Sequence, residues 1–402
     1  MKITRIETFT VGAGWKNWLF VRVCTDTEFY GIGEATLNGF IKTTEAAVHE
    51  LKHFAIGRDP REVTAIARKI IGTIQDAGHI HRLVMGAVEV ACWDILGKSL
   101  GVPIYQLLGG KVRDSILGYA NGWYRTERTP GNFVRAAETV VEKGFHALKL
   151  DPFGVARGFI GEEELQEAYD ILKATRERFG PSLKILIDVH QRFAPAEAIR
   201  VARRMADLDL YWWEEPTTDE RECLTNQVAA RSPIRVATGE SFDKIGQFAT
   251  LAEGGGVSIW QPEPMSLGGL MNTLAVAQLA QANNAWIAPH QSGGPVATAV
   301  CLQLAACVPN FLIQEHFDAF NDPWTQDLVT WVPEINPKNG HLSLPASPGL
   351  GIDLNLGVVK QHPYEPAAFL DCTQKGWEKR LGTSSKRRRS GRRKSARSSR
   401  PR

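Results

Sequence analysis

The sequence predicts an α/β protein in which a closed parallel barrel follows a smaller α+β unit. Three features predict it. Short apolar strand patterns alternate with helical ones from residue 116 to about 355, an order that builds parallel sheets. Those strands are continuously apolar, as strands covered on both faces must be. Residues 3–10 and 18–24 instead alternate apolar and polar, and Tyr30-Gly31-Ile32-Gly33-Glu34 closes the second run, which describes an antiparallel sheet.

Helical patterns follow that sheet near 44–55, 60–75 and 80–99. The third, around Val84 to Ile95, is apolar nearly all round and predicts a buried helix. Pro103 to Gly110 reads as a short connecting segment, and 112–119 as a linker and first barrel strand. Further strands are expected at 147–151, 184–188, 211–215, 234–240, 257–261, 285–290 and 311–315, with helices at 132–143, 161–178, 195–207 and 270–283 among the connections. That repeat count suits a closed barrel better than an open sheet. No GxGxxG opens a helix after the first strand, which weighs against a dinucleotide-binding fold.

A chain of 402 residues is long enough for a barrel and a partner unit. With 43% hydrophobic and 23% charged residues, its composition is that of a globular protein. No apolar run approaches the roughly 18 residues of a membrane span, and the amino terminus lacks a signal-peptide pattern. The six cysteines are scattered without a CxxC pair, as expected of reduced thiols in a cytoplasmic protein. The formal charge of +3 hides an asymmetry. Residues 386–402 carry ten Lys or Arg and no acid, so the rest of the chain is net negative. Such a tail cannot bury a core and is expected to be disordered. Nonspecific contact with a polyanion is the one nucleic-acid role it suggests.

The expected strands share a peculiarity. Each begins apolar and ends near a residue that ionises or binds: Lys149 and Asp151, Asp188 and His190, Glu214, Glu240, Glu263, His290, Glu315. In a barrel, carboxyl-terminal strand ends converge on one mouth, where barrel enzymes do their chemistry. Asp188, Glu214 and Glu240 lie 26 residues apart in each step, one strand–helix repeat, so they should share that mouth. Three carboxylates packed together repel unless a cation neutralises them. Oxygen ligands of this kind suit Mg²⁺, with Mn²⁺ as the alternative. His290, with Glu263 on the preceding strand end, has the form of a carboxylate-oriented general base. His190, two residues after Asp188, is expected to project from the same strand and to protonate a leaving group.

Together these residues form motifs that resemble the enolase superfamily, mandelate racemase subgroup, over residues 1–380. The motifs are Ala147-Leu148-Lys149-Leu150-Asp151, Ile187-Asp188-Val189-His190, Trp213-Glu214-Glu215-Pro216, Thr238-Gly239-Glu240, Gln261-Pro262-Glu263 with Leu267-Gly268-Gly269, Pro289-His290, and Ile313-Gln314-Glu315. Gly31-Ile32-Gly33-Glu34 and Cys92-Trp93-Asp94-Ile95-Leu96-Gly97-Lys98 match the family's first unit. The resemblance implies a (β/α)7β TIM-like barrel over 116–355 behind an α+β N-terminal capping domain over 1–115. Residues 356–381 would pack on the capping domain, with 382–402 left as the tail. It implies Mg²⁺ held by Asp188, Glu214 and Glu240, His290 with Glu263 as base, and Glu315 as hydrogen-bond partner of an enediolate. Lys149 joins that catalytic set.

Departures from the family pattern point to the reaction. Racemases of this subgroup carry Lys-x-Lys on the second strand, the last Lys being the opposing base, whereas this chain has Lys149-Leu150-Asp151. Asp188-x-His190 instead resembles acid-sugar dehydratases such as galactonate dehydratase, with His190 as the acid that expels the 3-hydroxyl. The implied substrate is a small acid sugar and the implied assembly a homo-oligomer. Asp151, together with Lys16, Asn17 and Asn38 on the capping loops, is assigned to substrate binding; Lys42, His79 and His81 are weaker candidates. Two rival functions stand beside this one. An epimerase, racemase or cycloisomerase would share the enediolate, and an inactive relative would bind polyanions through its tail.

Overall fold

The computed structural model describes residues 1–72, 78–218 and 223–380. The basic tail and the end of the predicted 60–75 helix lie outside these residues.

Strands β1 (Ile3–Gly12), β2 (Asn17–Thr25) and β3 (Tyr30–Glu34) form an antiparallel sheet in that order. Helices α1 (Ile41–Leu51) and α2 (Val63–Ile71) follow, then α3 (His79–Leu100) and the single turn α4 (Ile104–Leu107). Helix α3 explains its own composition, because it is packed on two sides. On one side a Cβ added at Gly33 would stand 2.1 Å from the Ala87 carbonyl, and one at Gly31 would stand 1.9 Å from that of Ala91. The sheet and helix backbones are therefore in direct contact. On the other side Gly86 meets the Met265 carbonyl at 2.5 Å by the same measure. A helix buried on both faces must be apolar nearly all round.

The barrel strands are β4 (Ile116–Ala120), β5 (Ala147–Leu150), β6 (Lys184–Asp188), β7 (Trp212–Glu214), β8 (Val236–Thr238), β9 (Ile259–Trp260), β10 (Trp286–Ile287) and β11 (Gln314–His316). Between them run α5 (Pro130–Glu142), α6 (Glu162–Phe179), α7 (Pro195–Arg204), α8 (Cys223–Ala229), α9 (Ile245–Gly254), α10 (Leu270–Ala282) and α11 (Pro295–Cys307). Neighbouring strands pair in parallel from β4 to β10. Ile287 bridges Phe311, and β11 pairs with β4, which closes the ring. Tyr119, Leu186, Trp212 and Ile259 belong to a separate apolar cluster with one residue from each strand or its extension. That cluster fills the interior. The expected strands occur, but several are shorter than the apolar runs suggest. Residues 239–240, 261–263 and 288–290 are loop, so their polar groups lean over the mouth rather than lie within the sheet.

Two buried carboxylates fasten the first unit to the barrel. Glu34 accepts hydrogen bonds from the Gly294 and Ala297 amides at the start of α11, at 2.6 and 3.0 Å. Glu89 accepts from the Leu270 and Met271 amides at the start of α10, at 3.0 and 3.2 Å. A helix amino terminus offers unpaired N–H groups and a partial positive charge, so each carboxylate is matched. Asp94 does similar work, accepting from the Ile32 and Leu350 amides and pairing with Lys98. After a short helix at Leu356–Gln361 the chain runs back beside β1, where the Gly12 amide donates to the His362 carbonyl at 3.1 Å. It then crosses the barrel mouth and ends on the buried Trp377.

The backbone contact at Gly33 generates a stability prediction. Gly33→Ala has no side chain to move aside and must separate sheet from helix, at a cost of about 2–3 kcal/mol. Thermal denaturation should show a lowered Tm, whereas Gly246→Ala, which meets nothing within 4 Å, should leave it near wild type.

Candidate active site

The barrel mouth gathers the charged residues. Lys149 projects from β5, and Asp188 and Glu214 end β6 and β7. Glu240, Glu263 and His290 follow β8, β9 and β10 by two or three residues, and Glu315 lies in β11. One carboxylate oxygen each from Asp188, Glu214 and Glu240 falls within 4.8 Å of the others, the one grouping among the described residues able to hold a metal ion. Asp188 and Glu214 are buried and Glu240 is partly exposed, so the cluster is reachable from the cavity above it.

Lys149 is the counter-charge at the base of this cluster. Its ammonium lies 3.1 Å from Asp188 and 2.9 Å from Glu315, and it also bonds Glu214. Burial alone would lower its pKa, but Asp188, Glu214 and Glu315 outweigh that and hold it charged. One ammonium does not balance the set. Burial, together with the charges of Asp188, Glu315 and Glu240, pushes the Glu214 carboxyl well above its ordinary value against the pull of Lys149. The Oε2 atom of Glu240 has no hydrogen-bond partner, and the His290 Nε2 atom stands 3.4 Å away. A hard divalent cation among these oxygens would relieve both conditions, so the donor set fits one.

Each histidine is held by its own carboxylate. His290 Nδ1 lies 2.9 Å from Glu263, which leaves Nε2 facing Glu240. His190 Nδ1 lies 2.9 Å from Asp151, with Nε2 3.5 Å from Asp188. The rings therefore stand at two ends of the carboxylate cluster. Enclosure opposes charge on His290, but Glu240, Glu315 and Glu263 raise it to about 10. For His190, enclosure is likewise overcome by Asp188 and Asp151, which raise it to about 9. Glu315 is fixed by Asn121 Nδ2 at 2.8 Å and the Gln291 amide at 2.9 Å.

Three expectations need correction. Asp151 does not face a substrate. It is fully buried, bonds His190 and the Arg192 guanidinium, and accepts from the Phe153 amide at 2.9 Å. Buried among these partners, it acts on His190. His190 does not reach the mouth by strand alternation. The strand stops at Asp188, and His190 and Gln191 take left-handed φ values of 50° and 56° in a turn. Such backbone is costly for non-glycine residues and clusters at functional sites. Asn17 is also removed from the candidates. Its Nδ2 donates to the Glu365 and Ala368 carbonyls and its Oδ1 accepts from the Glu365 amide, which uses both donors and ties the side chain to residues 365–368.

The other loop candidates divide. Lys16 and Asn38 line a cavity of about 190 Å³ above His290, together with His79 and Glu34. Burial lowers the Lys16 ammonium to about 8 even with Glu34, Glu263 and Glu315 nearby. His81 is not in that lining, and Lys42 is exposed and paired with Glu45 at 2.8 Å. Sequence reasoning missed Glu34 as a cavity wall, Arg192 as the support of Asp151, and Trp377. The Lys149-x-Asp151 and Asp188-x-His190 pairs, on adjacent strand ends, held the one signal that could have joined Asp151 to His190.

A divalent cation that binds this cluster should stabilise the fold by about 2.7 kcal/mol at a hundredfold excess over Kd. Differential scanning fluorimetry should show a rising Tm for the wild type. Glu240→Gln, which leaves the Lys149 pairs intact, should lose most of that rise.

Two family models match the chain. Residues 6–109 match the mandelate racemase / muconate lactonizing enzyme N-terminal domain, and residues 132–358 match the enolase C-terminal domain-like model. Among curated proteins, a D-xylonate dehydratase of Haloferax volcanii is 31% identical, covering 92% of this chain and 91% of its own. A D-galactonate dehydratase of Pectobacterium atrosepticum is 31% identical over 89% and 94% of the two chains. A D-gluconate dehydratase of Thermoproteus tenax is also 31% identical, over 88% and 72%. Among solved structures, a mandelate racemase/muconate lactonizing enzyme from Jannaschia sp. CCS1 superposes with a TM-score of 0.84 at 30% identity, over 91% of this chain and 98% of that one. The sheet-capped barrel, the carboxylate cluster at its mouth and these matches over both units lead to one conclusion: the chain belongs to the enolase superfamily, in its mandelate racemase and muconate lactonizing enzyme group.

Proposed function

We infer that this chain is a Mg²⁺-dependent acid-sugar dehydratase that converts an aldonate or aldarate to a 2-keto-3-deoxy acid, with Mn²⁺ as the alternative ion. The observation that carries this is the pair of imidazoles, each fixed by its own carboxylate, at two ends of the three-carboxylate cluster. Elimination of water needs one base and one acid, and two oriented imidazoles suit that division. The absence of a lysine at position 151 favours it over racemisation. The named activities of the relatives, gluconate, xylonate and galactonate dehydration, agree.

The chemistry supplied by bound Mg²⁺ is Lewis-acid neutralisation of the charge that grows on a substrate carboxylate. Everything else falls to the chain. Glu263 accepts a hydrogen bond from the Nδ1–H of His290 and so leaves Nε2, on the Glu240 side, with the lone pair that removes the proton on the carbon next to the carboxylate. A base must be neutral. The carboxylate charge that raises His290 must therefore be offset when substrate is bound. Glu315, held by Asn121 and Gln291, stands 3.8 Å from His290 Nε2, where it can share a hydrogen bond with the enolised substrate. His190, kept protonated by Asp188 and Asp151, gives its Nε2 proton to the 3-hydroxyl as the C3–O bond breaks. Water leaves, and the enol becomes the 2-keto acid. Lys16 and Asn38 in the cavity wall are placed to meet distal hydroxyls or a second carboxylate.

Incubation with an acid-sugar library and Mg²⁺ should give semicarbazide-reactive 2-keto-3-deoxy product from at least one aldonate or aldarate, and chelation should abolish it. Turnover with no such product would replace dehydration by epimerisation or cycloisomerisation. His290→Ala should lower kcat by about 10³-fold, and unchanged turnover would refute its role as base.

A further inference from the structure

The carboxyl-terminal segment does more than return to the first unit. It is tied to both loops that roof the cavity. Asn17 holds the backbone at Glu365 and Ala368, and Asn38 Nδ2 donates to the Leu370 carbonyl at 3.2 Å. The segment then descends to the barrel mouth and inserts Trp377, which is 1% exposed. The indole meets the His190 ring edge-on, with centroids 6.2 Å apart and planes at 85°. It meets Tyr124 in the same manner at 6.2 Å, and its Nε1 donates to the Gly154 carbonyl at 3.1 Å. Glu378, fully buried, anchors the turn through Arg128 at 3.3 Å, and Arg128 also bonds the Pro152 carbonyl.

His190 needs such a support. It sits on left-handed backbone beyond the end of its strand, so the sheet does not fix its ring. Asp151 bonds one ring atom at 2.9 Å, while Asp188 stands 3.5 Å from the other, so the carboxylates alone hold the ring plane loosely. An aromatic wall against the ring removes the remaining freedom, and edge-to-face contacts favour one ring plane. We propose that Trp377 is a positioning residue for His190, so that proton donation to the leaving hydroxyl depends on the carboxyl-terminal segment. This rests on the reading of His190 as the acid. The segment's ties to Asn17 and Asn38 make it the physical link between the roof loops and the acid.

The two halves of the reaction separate this role from a merely structural one. In D₂O, His290 alone exchanges the C2 proton of substrate, whereas loss of the 3-hydroxyl as water also needs His190. The full-length chain is assayed with Mg²⁺ and the best-turned-over acid sugar from the product screen. Trp377→Ala should lower dehydration by about 100-fold, while NMR shows deuterium entering C2 of recovered substrate near the wild-type dehydration rate. Trp377→Phe, which keeps an aromatic face and loses only the Gly154 bond, should recover most of the dehydration. Equal loss of exchange and elimination in both variants, or loss in neither, would overturn the proposal. The underlying reading is tested separately: His190→Asn should also exchange without eliminating. Wild-type dehydration in that variant would overturn the acid role, and the positioning role with it.

Discussion

Five carboxylates, Asp188, Glu214, Glu240, Glu263 and Glu315, share the barrel mouth, and their mutual repulsion in a poorly hydrated space is the constraint on which the site depends. Lys149 absorbs part of it by bonding three of them at once. The two imidazoles absorb more, each drawn between carboxylates on neighbouring strand ends. What remains centres on Glu240, whose buried Oε2 has no hydrogen-bond partner. A buried cluster of like charges is maintained only when something of opposite sign completes it. The same repulsion that makes the cluster costly favours a hard cation there.

The capping unit solves a related problem. Its Glu34 and Glu89 are buried, and burial raises both to about 7 against the hydrogen bonds they accept. They are tolerated because barrel helices present their amino termini to them. Polar groups thus fasten the two units, while α3 supplies the apolar contact between them. The joint places Lys16 and Asn38 in the lining of the same cavity as His290.

Much of this was legible in the sequence. The 26-residue steps from Asp188 to Glu214 to Glu240 identify a cluster because barrel geometry projects each repeat onto one mouth. The apolar composition of α3 foretold a helix buried on both faces. Less legible were features set by chain reversals. The link between Asp151 and His190 depends on β5 and β6 lying side by side in register, and on a left-handed turn that period-two alternation cannot supply. Asn17 looks like any loop amide until residues 365–368 return to consume its hydrogen bonds. Trp377, far along the chain from His190, has no local signature at all. Pattern reading locates groups that a repeating element delivers to one place, and misses those delivered by a single long return.

The cluster itself can be tested most directly by anomalous diffraction from crystals grown with Mn²⁺. A single peak should lie among Asp188, Glu214 and Glu240, bonded to an oxygen of each at about 2.1 Å. A mouth without a peak, or a peak bonded elsewhere, would contradict the account at its foundation.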